Sequence, residues 1–274
     1  MNDDSFSIKD IFPIILFIFT VQITSLFLTN NFLNLYQILP SYQPAGNNTT
    51  GSIINSIILI LPTFIITSVI LFLLRRKFFL LLKSLLILAI SAGTFSVSYI
   101  ILTIAFDSVF SSLFIFIFSI LLCFVPVLAL TIIKLNKFQL LSSFILSSLY
   151  GTMLAVFLKP PTIIVIPIVF ALYDIYAVFR GPLKSIVNSS DDSLDLRPLF
   201  VSLGRFNIGT GDLIFYSMIP SSVFLLIGLP FAFLSLFLIH IGIILTLYLL
   251  KRFEIFPGLP IPVFLSLIPY LLFY

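Results

Sequence analysis

Apolar residues along this chain run in long, uninterrupted blocks. Residues 11–74 carry no charged side chain, and neither do 84–106, 108–133, 138–158 or 213–250. A bilayer's hydrocarbon core needs about 20 consecutive apolar residues to be crossed by a helix. On that measure nine spans can be drawn, over roughly 11–28, 53–74, 84–106, 109–132, 138–158, 161–179, 206–227, 230–250 and 256–273. The polar stretch 30–51 is the first loop, and 180–205 is the longest charged stretch, a linker between the sixth and seventh spans. The pattern predicts an all-α, polytopic membrane protein whose 274 residues form a single membrane domain, with spans one to six over 11–179 and seven to nine over 206–273.

Composition agrees. The chain is 60% hydrophobic and 9% charged, with 33 Phe, against about 25% charged in a soluble domain. The first residues, MNDDSFSIKD, hold three acids and lack a basic start and a small-residue cleavage site, so 11–28 reads as a retained first span rather than a cleaved signal. Cys123 is the single cysteine, which excludes an internal disulfide and a cysteine metal cluster.

Charge then orients the bundle. The net charge of +4 comes from short cationic clusters between apolar blocks, an arrangement of topology determinants rather than of a nucleic-acid surface. Lys and Arg favour cytoplasmic loops. With a cytoplasmic N-terminus and nine spans, thirteen of the fourteen cations fall inside and only Lys159 falls outside. The C-terminus is then expected outside. The sequons at Asn47 and Asn48 fall outside too, while the one at Asn188 falls inside.

Against that background, two acids stand out. Eight of ten have ordinary places in tails, loops or the linker; Asp174 and Asp212 lie within predicted spans. Asp174 is about five residues, or about 8 Å, from the cytoplasmic end of the sixth span, and Asp212 about six residues, or about 9 Å, into the seventh. Two consecutive antiparallel spans thus carry their only acids at one depth. Two carboxylates sharing a poorly solvated site hold a proton between them and titrate as a pair. Such a pair can hydrolyse an amide by general acid and base catalysis, or it can line an ion or proton path.

Two neighbouring motifs bear on that choice. Gly209 and Gly211 remove side chains just ahead of Asp212, allowing close approach of a helix or a substrate backbone. At the start of the last span, Pro257, Pro260 and Pro262 leave backbone groups unpaired near the depth of the acids, and an extended strand could pair with such groups.

Together Tyr173-Asp174, Gly209-Thr210-Gly211-Asp212 and Pro257-Gly258-Leu259-Pro260 resemble the presenilin and signal peptide peptidase family of intramembrane aspartyl proteases. That family carries Tyr-Asp in its sixth span, Gly-x-Gly-Asp in its seventh and Pro-Ala-Leu in its ninth. The resemblance covers essentially the whole chain and implies a presenilin-like fold, with Asp174 and Asp212 as catalytic dyad. It also implies that Tyr173 packs or hydrogen-bonds beside the dyad, that Gly209 and Gly211 make room for substrate, and that the segment from Pro257 through Gly258 and Leu259 to Pro260 shapes the site. Thr210 stands where presenilins have Leu, a position thought to influence cleavage preference, and Gly258 replaces the Ala. The implied partners are transmembrane segments of substrate proteins within the lipid bilayer. No metal, cofactor or nucleic acid is implied, no feature calls for accessory subunits, and oligomeric state is left open. The compact chain looks like a microbial homologue, and its cation count matches the presenilin-like orientation.

Other readings are a prepilin-type peptidase, which also uses a Gly-x-Gly-Asp acid but has fewer spans and no proline motif, and a proton-coupled transporter. The latter is favoured by an inverted repeat, and none is visible. His240, the single histidine, cannot form an HExxH zinc site and is expected to bond a neighbouring helix.

Overall fold

The computed structural model describes residues 8–39, 44–46, 48–76, 78–106, 108–131, 136–179, 200–203, 206–253 and 256–273. Most of the expected 180–205 linker, including Asn188, Asp191, Asp192 and Asp195, lies outside the described residues, as do Asn47, Asp107 and Glu254. The helices run in order as α1 (Ile8–Asn30), α2 (Thr49–Arg75), α3 (Phe79–Phe106), α4 (Ser112–Thr131), α5 (Asn136–Phe157) and α6 (Thr162–Phe179). After a hairpin of β1 (Phe200–Leu203) and β2 (Phe206–Gly209) come α7 (Thr210–Leu226), α8 (Leu229–Arg252), α9 (Pro260–Ser266) and α10 (Ile268–Phe273). With α9 and α10 counted as one interrupted span, nine apolar helical segments stand among the described residues, in the expected order. Helices are the solution hydrocarbon demands, because each one pairs its own backbone groups. Five of them (α1, α3, α5, α6 and α8) are by length and composition able to cross a bilayer; α7 and α9–α10 are shorter.

The seventh helix is the centre. It packs against α1, α5, α8 and α9, and every residue from Phe215 to Phe224 is buried, as expected for a helix with neighbours on all sides. Hydroxyls join three of these helices. Ser25 Oγ lies 3.0 Å from Thr152 Oγ1 and 2.9 Å from Ser221 Oγ. Ser217 Oγ donates to the Ser147 carbonyl at 2.8 Å, and a Cβ added at Gly151 would overlap the Ser217 side chain, so α5 and α7 meet closely at this glycine. Interhelical bonds of this kind contribute about 0.6 kcal/mol each on average. The break between α7 and α8 is held by Gly228, whose φ of 114° favours glycine, followed by Pro230 in the first turn of α8.

Two elements differ from expectation. The seventh span does not begin at Phe206: residues 206–209 form β2, paired antiparallel with β1 in the register Phe200↔Gly209 and Leu203↔Phe206. Glycines at 209 and 211 weaken a helix there, while Val201 and Phe206 are buried and the hairpin gains contacts with α5 and α1. Helix α7 therefore starts at Thr210, and Asp212 sits in its first turn rather than six residues deep. The chain is accordingly mostly helical, as expected, with one small hairpin among the described residues. The last span also departs from its expected 256–273: helix begins only at Pro260 and is interrupted at Leu267, two residues before Pro269. Each proline removes a backbone donor.

Candidate active site

Asp174 lies on the inward stripe of α6, among buried Ile163, Ile166, Pro167, Ala171 and Ala177. Their spacing is that of one helix face. Leu172 and Tyr176, on the other side, are exposed. This stripe meets α2 and α9. Small residues at 171 and 177 flank the acid by one turn each and let the neighbouring chain come close.

Asp212 follows Gly209, Thr210 and Gly211 at the start of α7. Gly209 is the residue that precedes the helix, and its backbone amide faces the Asp212 carboxylate. An acid three residues into a helix reaches back to the capping amide in this way, and it gains from the helix dipole. A Cβ at Gly209 would come within 3.4 Å of Asp212 Oδ2, whereas one at Gly211 would meet nothing within 4 Å. Gly211 is thus the glycine that opens on free space beside the acid. Thr210 is buried, its hydroxyl 3.1 Å from Ser143 Oγ on α5.

Between the two acids comes the segment ahead of α9. The Leu259 amide donates to Asp174 Oδ2 at 3.0 Å, and the Gly258 amide also faces that carboxylate. On the other side, a Cβ at Gly258 would be 2.7 Å from Asp212 Oδ2. Asp212 is close enough to Asp174 to feel its charge. One glycine without a side chain is therefore what admits this backbone next to Asp212. Pro257, Leu259 and Pro260 are buried and anchor the segment. Helix α8 supports it from behind: a Cβ at Gly242 would be 2.5 Å from Pro262 Cα, and Ser235 Oγ donates to the Ser266 carbonyl at 2.9 Å.

The sequence reading brought Asp174, Asp212, Gly209, Gly211, Pro257, Gly258, Leu259 and Pro260 to one place, and the structure gathers them there. Tyr173 is half-buried next to Asp174. Tyr216 was missed. It is buried one turn beyond Asp212, within reach of both carboxylates' charge, and its hydroxyl donates to the Gly258 carbonyl at 2.9 Å. The four-residue spacing from Asp212 was the available signal. His240 lies apart, its Nδ1 2.8 Å from the Leu236 carbonyl of its own helix and its ring edge-on to Phe19. The bond expected to a neighbouring helix is not the one its Nδ1 makes.

A helical membrane bundle with two apposed carboxylates at the end of two neighbouring spans is the class defined by these features. Two solved structures are similar to this chain. A presenilin family intramembrane aspartate protease in a C222 crystal form superposes with a TM-score of 0.67 over 95% of this chain and 97% of that one, at 17% identity. A presenilin family intramembrane aspartate protease in a P2 crystal form gives 0.63 over 94% of each chain, at 18% identity. No protein-family model matches the sequence, and no curated protein matches it. The chain has the presenilin fold over nearly its whole length.

Proposed function

We propose that this protein is an intramembrane aspartyl endopeptidase that hydrolyses peptide bonds within transmembrane segments of other proteins. Asp174 and Asp212 are the acid–base pair. The observation that carries this reading is the placement of the two acids on either side of the Gly258–Leu259 backbone, inside a presenilin-like fold. The ionised carboxylate takes a proton from water, whose oxygen bonds to the scissile carbonyl carbon. The protonated partner holds the carbonyl oxygen and then returns a proton to the departing amine.

A helical substrate hides its amides, so a stretch of it must unwind before this chemistry. The β1–β2 hairpin runs directly into Asp212 and offers strand edges to which an extended segment can add. Gly211, open beside the acid, leaves room for that segment. Tyr173 and the Pro257–Pro260 segment shape the walls, and buried Thr210 ties the start of α7 to α5. No metal or organic cofactor enters this chemistry.

The test is cleavage of a single-span reporter by purified protein in detergent. Asp174→Asn and Asp212→Asn, each still folded, are expected to lower the rate at least about a hundredfold, the contribution typical of a general acid or base. Equal cleavage by all three proteins overturns the reading, and so does proton transport in liposomes without any cleavage.

A further inference from the structure

Tyr216 is held at both of its ends by unusual partners. A carbonyl inside a helix normally accepts the amide four residues on. For Tyr216 that residue is Pro220, which lies within α7 and has no N–H to give. In hydrocarbon a carbonyl left this way has no water to turn to. Gln22 of α1 supplies the missing donor: its Nε2 lies 3.0 Å from the Tyr216 carbonyl oxygen, fully buried. The other amide atom, Oε1, has no partner among the described residues, so the bond to Tyr216 is what this side chain is placed to make.

At its far end the Tyr216 hydroxyl donates to the Gly258 carbonyl at 2.9 Å. That carbonyl and the Leu259 amide belong to one planar peptide unit, and the Leu259 amide is the donor to Asp174 Oδ2 at 3.0 Å. Turning the carbonyl turns the amide with it. A single peptide is therefore gripped on one edge by Tyr216 and presses on Asp174 with the other. Gly258, lacking a side chain, would otherwise let that peptide rotate.

We infer that Tyr216 is a positioning residue that aims Asp174 through the Gly258–Leu259 peptide, and that Gln22 fixes Tyr216 in turn. The inference rests on the aspartyl protease reading and adds to it two residues, Tyr216 on the helix of Asp212 and Gln22 on one further helix, α1. It is expected to affect the rate of chemistry rather than substrate binding, because neither side chain lies within 4 Å of a Cβ placed at Gly211.

The experiment is steady-state cleavage of the reporter by the full chain. Tyr216→Phe keeps the ring and is expected to lower kcat about tenfold to a hundredfold, the scale of a small misplacement of a reacting group, with KM within about twofold. Leu259→Pro removes the other edge of the same peptide, at a residue whose φ of −75° suits proline. In that background Tyr216→Phe is expected to change kcat less than about twofold, because the link it acts through is already cut. Unchanged kcat in Tyr216→Phe, a change in KM alone, or additive losses in the double variant overturns the inference. If Tyr216→Phe does not fold, Gln22→Met takes its place in both comparisons, with the same outcomes. A protein in which Asp174→Asn is inactive but Tyr216→Phe cuts as the wild type does loses this inference only. One in which Asp174→Asn cuts normally loses the protease reading as well.

Discussion

A carboxylate at the centre of a membrane helix costs at least about 2.5 kcal/mol; the two acids here lie nearer the ends of their helices and offset their smaller cost by different means. Asp174 accepts the Leu259 amide, while Asp212 sits in the first turn of α7, where the helix dipole favours an acid. Their surroundings differ as well: on the proposed protease reading Gly211 leaves the substrate's way open, and because a Cβ there meets nothing within 4 Å, Gly211→Val is expected to leave the thermal midpoint close to wild type. The same change should lower kcat/KM for a transmembrane reporter about tenfold, or about 1.4 kcal/mol. A thermal scan and a cleavage assay on one preparation check both halves, and retention of full activity would remove Gly211 from the substrate's path. Asp174, Asp212 and the glycines were legible in the sequence because such residues are conspicuous in an apolar run. Tyr216 was not, being one of 10 tyrosines among 33 phenylalanines. Nor was Gln22, whose partner lies 194 residues away; only the three-dimensional pairing reveals that Pro220 leaves a carbonyl for it.

The elements behave as their punctuation directs, with two instructive exceptions. Helices α1 to α6 fall within a few residues of the expected spans, because unbroken apolar runs of this length have one solution in a bilayer. Phe206–Gly209 is as apolar as a helix end and as β-prone as a strand, so its own sequence does not place the start of the seventh span. Its partner strand, not its own composition, settles the choice. The last span departs in the same sense, its helix starting late at Pro260, and the non-helical residues 256–259 and the interruption at Leu267 follow from which carbonyls lose donors to proline. That segment depends on α8 for support. Gly242→Leu drives a side chain into the Pro262 backbone, which cannot yield as a side chain does, so α9 must move. The expected result is a loss of at least about tenfold in kcat/KM with about 1–3 kcal/mol of destabilisation, the range for overpacking. Tyr248→Leu, on the exposed face of the same helix, is the control and should change neither.

At the scale of the molecule, the bundle is an integral multi-pass protein built around α7. The cations carry an expected sense of insertion, with Lys137 in the first turn of α5 on the side expected to be cytoplasmic and Lys159 just past its other end. Lys159 is bonded to the Tyr36 carbonyl and sits over the Tyr36 ring, which ties the loop after α1 to the α5–α6 turn, while burial lowers the Lys159 pKa below the ordinary lysine range. Replacement of Cys123, the one cysteine, by alanine gives a background for single-cysteine labelling. A cysteine at 110, exposed beside the outer turn, should react with a membrane-impermeant maleimide on intact cells, and one at 137 only after lysis. The reverse pattern would invert the orientation read from the cations. The nine spans were legible because hydropathy alone carries them, whereas the neighbours of each span were not, since lipid-facing and helix-facing apolar residues look alike in a sequence.

The hydroxyl seam between α1, α5 and α7 has a consequence for the order of synthesis. Gln22 and Ser25 leave the ribosome early, yet their partners Tyr216 and Ser221 are 194 and 196 residues later. At roughly 5–20 residues per second, α1 waits about 10–40 s before the helix it is cut to fit exists. Thr29 bonds the Ser25 carbonyl of its own helix, a bond open to it as soon as α1 forms, whereas the bond that Gln22 makes in the finished protein needs α7. The first helix of this chain is therefore made incomplete and is finished by the seventh.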